Sequence, residues 1–140
     1  MIFDNTNMFS DRQAITASAA STNVIDLGPI ADGVTRNIAT GAKVPLLIQV
    51  VEDFASAAKD GTLTVAIQFD SSDTFTPDKA VSVGTFAEAD LVAGWQLPYD
   101  VVPNNADLRY MRLYFSVGGS GNFTAGAVTA GITMGHQTNG

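Results

Sequence analysis

The 140-residue sequence contains no cysteine. That excludes disulfides, thiolate nucleophiles and cysteine metal sites, and with them the stapled architecture of small secreted scaffolds. It has one histidine, His136, in a polar C-terminal tail. A histidine-rich metal site therefore cannot form, and a Ser–His–acid hydrolytic site would have to be built on that tail residue. Charge is scarce as well. Asp, Glu, Lys and Arg make up 15% of the chain, against about 25% in an average soluble protein. A surface so poor in charge suits a domain that a partner covers in part. Basic residues are the rarer sign: 7 Lys plus Arg stand against 14 Asp plus Glu, for a net charge of -7. Such a chain does not draw in a phosphate backbone, so no direct nucleic-acid partner is expected. No apolar run approaches the ~20 residues of a spanning helix. The opening "MIFDNTNMFSDRQAI" has neither the basic start nor the apolar core of a secretory signal.

What is present is Thr, Ala, Gly and Val in short alternating runs. The length suits one domain with one sizeable core. "TLTVAIQFD" alternates strictly, Leu63, Val65, Ile67 and Phe69 against Thr64, Ala66 and Gln68, the pattern of a half-buried antiparallel strand. Further strands are predicted at Thr22–Gly28, Leu46–Phe54, "AVSVGTF", "WQLPYDVVP" (an edge position, because of Pro98), "RYMRLYFSV" and residues 125–134. Asp60-Gly61 carries a hairpin signal. Asp32-Gly33 and "NNAD" mark further turns. No long helix is predicted. The fold class expected is an all-β, jelly-roll-like antiparallel β-sandwich over residues 21–140, preceded by an extended N-terminal arm over residues 1–20. In that stretch an arm or edge strand is preferred to a short helix. Its isolated apolar residues, Ile2, Phe3, Met8, Phe9 and Ile15, sit in polar surroundings.

Few residues suggest chemistry. Asp70, Asp73 and Asp78 share one oxygen-rich loop with Ser71, Ser72 and Thr76, but lack the spacing of an EF-hand. A solvated turn is the simpler reading, and a structural calcium ion the alternative. Gly118, Gly119 and Gly121 lack the lysine and following helix of a phosphate loop, so a turn between strands is expected. "NFT" at Asn122 matches a glycosylation sequon without a secretion signal to support it. No cofactor, no metal and no catalytic residue is nominated. In "RYMRLYFSV", Met111, Leu113, Phe115 and Val117 share the core face with Arg109, while Tyr110, Arg112 and Tyr114 share the other. Rings flanking a guanidinium suit an interface. The plain alternative is that the rings cover the sheet and Arg112 pairs with a carboxylate.

Four stretches in order, "MFSDRQAITASAASTNVIDLG", "GTLTVAIQFDSSDTF", "RYMRLYFSV" and "GNFTAGAVTAGI", resemble capsid cement (decoration) proteins of short-tailed bacteriophages, of the Bordetella podophage-like kind. The likeness spans nearly the whole chain. It implies a non-enzymatic, jelly-roll-like domain on the outer surface of a virion head, bridging neighbouring copies of the major capsid protein. Other copies of the chain, as a dimer, are a further expected partner. Phe3, Met8, Phe9 and Arg12 of the arm, with Tyr110, Arg112 and Tyr114, are the candidate contacts. The alternative is a carbohydrate-binding β-sandwich on the virion surface, with Trp95, Tyr99, Tyr110 and Tyr114 as its stacking platform. A small hydrolase ranks last, because the sequence offers no cluster of polar residues for a pocket.

Overall fold

Leu63, Val65, Ile67 and Phe69 are buried and Thr64, Ala66 and Gln68 half-buried, so the alternation of this stretch does translate into a strand with one core face. The computed structural model describes residues 3–29, 43–103 and 108–133. Among these it contains β1 (Phe3–Ala14), β2 (Ala19–Ala20), β3 (Ile25–Asp26), β4 (Leu46–Ser56), β5 (Thr62–Asp70), β6 (Lys79–Ala87), β7 (Tyr110–Gly118) and β8 (Phe123–Thr133), with one 3-10 turn at Glu88–Asp90. The turns expected at Asp32-Gly33 and at residues 104–107, together with Ile2 and His136, lie outside the described residues.

All strand pairings are antiparallel. One sheet runs β1-β8-β4. The other runs β2-β7-β5-β6, with β3 on the same side of β7 as β2. Residues 94–102 continue the first sheet along the free side of β4. Val50 N donates to Trp95 O, Leu97 N to Ile48 O, Leu46 N to Asp100 O and Val102 N to Val44 O, each at 2.9 Å. This is the expected edge segment, but it is irregular. Only Gln96 and Val101 form bridges, and Pro98 between them has no N–H to give. The pairs nest: first strand with last, β2 and β3 with β7, β4 with residues 94–102, β5 with β6. Nested antiparallel pairs wrapped into two facing sheets make an antiparallel β-sandwich.

One expectation needs correcting. Asp60-Gly61 does not close a hairpin, because β4 and β5 lie in different sheets. The turn signal is real, but the chain uses it to cross from one sheet to the other. The β7–β8 connection crosses back beside it. The two crossings are tied together where Asp60 accepts the Ser120 N–H at 3.1 Å and the Ser120 hydroxyl. Gly119 permits the approach: its φ is +108°, and a Cβ there would lie 2.7 Å from the Asp60 carbonyl oxygen. Beneath the crossings Phe123 packs edge-on against Phe54, with centroids 4.9 Å apart.

The N-terminal stretch is extended, as expected, and takes the edge-strand form of that expectation, at the margin of the first sheet. β1 pairs with β8 from Phe3↔Thr133 to Ala14↔Ala127, with three register shifts on the way. Phe9 and Ile15 are fully buried in the shared core beside Val50, Leu113 and Val128. Gln13 fastens the following segment: its Nε2 donates to Ala20 O at 2.9 Å and its Oε1 accepts the Thr22 N–H at 2.8 Å. The bulges explain why the sequence hides this strand, since each shift breaks the two-residue period on which recognition rests.

Phe9→Ala is expected to lower the unfolding free energy by about 3–5 kcal/mol, as a buried Phe truncation does, whereas Asp11→Ala at an exposed position of the same strand changes little. Urea denaturation of both variants tests this. The Ser120 hydrogen bonds hold the Asp60 pKa below its ordinary 3.8. The folded pKa is depressed, so this contribution is full above the ordinary aspartate range and fades as pH falls through the lowered pKa. The melting temperatures of wild type and Asp60→Ala, apart at neutral pH, are therefore expected to converge as pH falls through that lowered pKa.

Candidate interaction face on the second sheet

β7 turns Met111, Leu113 and Phe115 into the core and Tyr110, Arg112, Tyr114 and Ser116 to the outer side of its sheet. On the neighbouring strand β5, Gln68 stands opposite Arg112, Ala66 opposite Tyr114 and Asp70 opposite Tyr110. Arg112 Nε donates to Gln68 Oε1 at 2.8 Å. The small Ala66 leaves the flank of the Tyr114 ring uncrowded. Thr64 and Thr85, linked by their hydroxyls at 2.8 Å, carry the face on toward β6.

The loop after β5 folds back over this face. Asp78 N bonds to Phe69 O at 3.0 Å and Ser72 N to Asp70 Oδ1 at 2.8 Å, which draws residues 71–78 into a tight arch. At its crown Phe75 adopts a φ of 43°. That left-handed backbone costs a side-chain-bearing residue about 1–2 kcal/mol. The ring is only 9% exposed and sits over Arg112, with the guanidinium carbon 4.1 Å from its centroid. The Tyr114 centroid is 6.0 Å from the same carbon. Burial of the ring and a cation–π contact offset the backbone cost.

The two arginines of this strand differ. Arg109, expected on the core face, instead reaches the surface and grips Asp26 with both arms, Nε to Oδ1 at 2.8 Å and Nη2 to Oδ2 at 2.9 Å. That grip raises its pKa further, and the guanidinium also lies 5.0 Å from the Tyr110 ring centroid. Arg112 has no carboxylate partner among the described residues, only Gln68 and the two rings. The plain alternative of an Arg112–carboxylate pair is therefore not what the structure shows. Phe75 was not nominated from sequence. The one available signal was a large aromatic residue alone in a Ser/Asp/Thr loop, too polar a context to be a strand.

The other candidate contacts lie elsewhere. Phe9 is in the core and is unavailable to any outside groove. Met8, half-buried, pairs with Gly131 across the outer side of the first sheet, and Leu47 flanks the same glycine from β4. Arg12 is exposed at a β1 bulge, at φ 48°, with its N–H bonded to Thr129 Oγ1 at 3.0 Å. Phe3 pairs with Thr133, and its side chain lies outside the described residues. The seven nominated residues thus do not form one site. Tyr110, Arg112 and Tyr114 converge on the second sheet, whereas Met8 and Arg12 belong to the first.

The stacking platform does not assemble either. Trp95 packs edge-on against Phe86 at 5.2 Å, on the core side of β6. Tyr110 and Tyr114 lie on the opposite side of that sheet. Tyr99 packs against the core, and partial burial raises its pKa above 10. The acidic loop also fails to converge: among the described residues no group of three His, Asp or Glu is placed to hold a metal ion. Asp70 is buried, with Oδ2 lacking a hydrogen-bond partner, while Asp73 and Asp78 are exposed. A depression of about 360 Å³ at the crossing end holds Asp53 and Glu88. Asp53 accepts the Ala93 N–H at 2.6 Å and Glu88 the Ser56 hydroxyl, so both already serve as turn fasteners.

A family model, Bbp16, matches residues 9–132, which takes in every strand described above except the first residues of β1 and the last of β8. The chain belongs to the Bbp16 family. The matched span includes Phe75 and the whole of the Arg112 face, so both are part of the Bbp16 domain itself. No curated protein matches the sequence. Among solved structures, a chain in the structure of infectious bursal disease virus Gx strain is similar over 90% of this chain and 30% of that one, at 14% identity and a TM-score of 0.38. This chain therefore spans less than a third of that neighbour's length.

Phe75→Ala removes the buried ring and leaves the strained backbone, and is expected to cost about 2 kcal/mol. Phe75→Gly loses the same ring but tolerates the left-handed φ, so it should be no less stable than the alanine variant. Thermal melts of the two variants beside wild type decide the point.

Proposed function

We propose that this protein is a structural, non-enzymatic component of a bacteriophage virion, a cement protein that binds the outer surface of the head. It bridges neighbouring major capsid proteins and stabilises the closed shell. Its partners are the major capsid protein and other copies of itself, as a dimer, without nucleic acid or membrane. The observation that carries this reading is the resemblance to phage cement proteins across nearly the whole sequence, joined to membership of the Bbp16 family over residues 9–132. The fold supports it. Two cross-tied sheets form a rigid block, and one outer face presents aromatic rings and a guanidinium of the kind favoured in interfaces.

The physical logic is linkage. A protein that binds the assembled lattice better than separated capsomers stabilises the assembled form by mass action. Many modest contacts repeated over one shell act together. Heads prepared without this protein should bind it from solution and then release their DNA at a higher temperature. Absence of binding, or binding with an unchanged release temperature, refutes the proposal. A glycan array tests the carbohydrate alternative, which the separation of Trp95 from Tyr110 and Tyr114 does not favour.

A further inference from the structure

We propose that Arg112 is the anchor of the shell contact and that its occupant is a carboxylate, an Asp or Glu side chain of the capsid protein, received on the outer face of the second sheet. This rests on the cement reading and names the chemistry of its partner. Four observations lead to it. Arg112 is a half-buried cation with no carboxylate partner among the described residues. It is positioned in advance, with Nε held by Gln68 at 2.8 Å, so little side-chain entropy remains to be lost on binding. The Phe75 ring, 4.1 Å from the guanidinium carbon, shields one side of it from water. The neighbouring cation, Arg109, is already neutralised by Asp26, which leaves Arg112 as the positive point of this face on a chain of net charge -7.

A guanidinium held by Nε still offers both terminal nitrogens, and a carboxylate accepts two parallel hydrogen bonds from them. The rings of Tyr110 and Tyr114 flank the spot and would exclude water around it, the arrangement in which a charged contact counts most. A nucleic-acid phosphate would also pair with arginine. Sustained phosphate binding, however, requires several unneutralised cations along a track, and among the described residues this face offers Arg112 alone.

The test uses heads prepared without this protein and the full-length chain as wild type, Arg112→Gln and Arg112→Lys, each first checked by thermal melting. Wild type is expected to bind. Arg112→Gln should bind at least about tenfold more weakly, the loss typical of an anchoring residue. Arg112→Lys keeps the charge but not the planar fork, and should fall between them. If Arg112→Gln proves unfolded, the lysine variant alone carries the comparison. Binding of the variants equal to wild type overturns this proposal and leaves the cement reading standing. Failure of wild type itself to bind overturns both. Wild-type binding to a single-stranded oligonucleotide at physiological salt that Arg112→Gln abolishes would assign the anchor to phosphate and overturn the carboxylate.

Discussion

The pairing of β1 with β8 is the constraint on which the rest of this structure depends. It joins the first described strand to the last, and every other pair is nested inside it. Because β8 lies between β1 and β4, its inward residues Val128 and Ala130 share one core with Phe9 and Ile15 from the N-terminal side. β1 is thus both the extended N-terminal segment and an edge strand of the sandwich. Loop-closure entropy makes such a long-range pairing costly to form. The buried rings and branched side chains that it encloses offset that cost.

The second sheet shows how the interior fixes the exterior. β5 and β7 place large residues inward at every second position, and this dictates which residues stand outward and in which register. Gln68 meets Arg112 because Ile67 pairs with Leu113 in the core beside them. The face owes its geometry to packing on the other side of the sheet. A one-residue slip would exchange the two sets entirely.

β5 and β7 were legible in the sequence because their alternation is unbroken, and so was the assignment of Tyr110, Arg112 and Tyr114 to one side; β6 was legible from Val81 and Val83 although a bulge interrupts its pairing with β5. The fate of Asp60-Gly61 was not legible. A turn dipeptide specifies that the chain reverses, not whether the next strand pairs with the last one or crosses to the facing sheet. Phe9 was misplaced because the β1 bulges mask its period, so an isolated Phe among polar residues resembles a surface anchor. Phe75 was invisible for a related reason. Its burial arises from a loop returning over a sheet, which local composition does not encode. The candidate face was thus half legible: its strand residues could be read, and the ring that completes it could not.

The tie between Asp60 and Ser120 has a mechanical consequence. At that end of the molecule the two sheet crossings are joined, so a force that tries to slide one sheet over the other is met by both connections together. A load applied to the outer face of the second sheet enters through β7 and β5, whose ladder bonds lie side by side and share it. A pull on the start of β1, at Phe3 beside Thr133, meets its bonds to β8 one after another and peels the strand. The ladder geometry thus resists shear on the broad face better than peeling at the first strand.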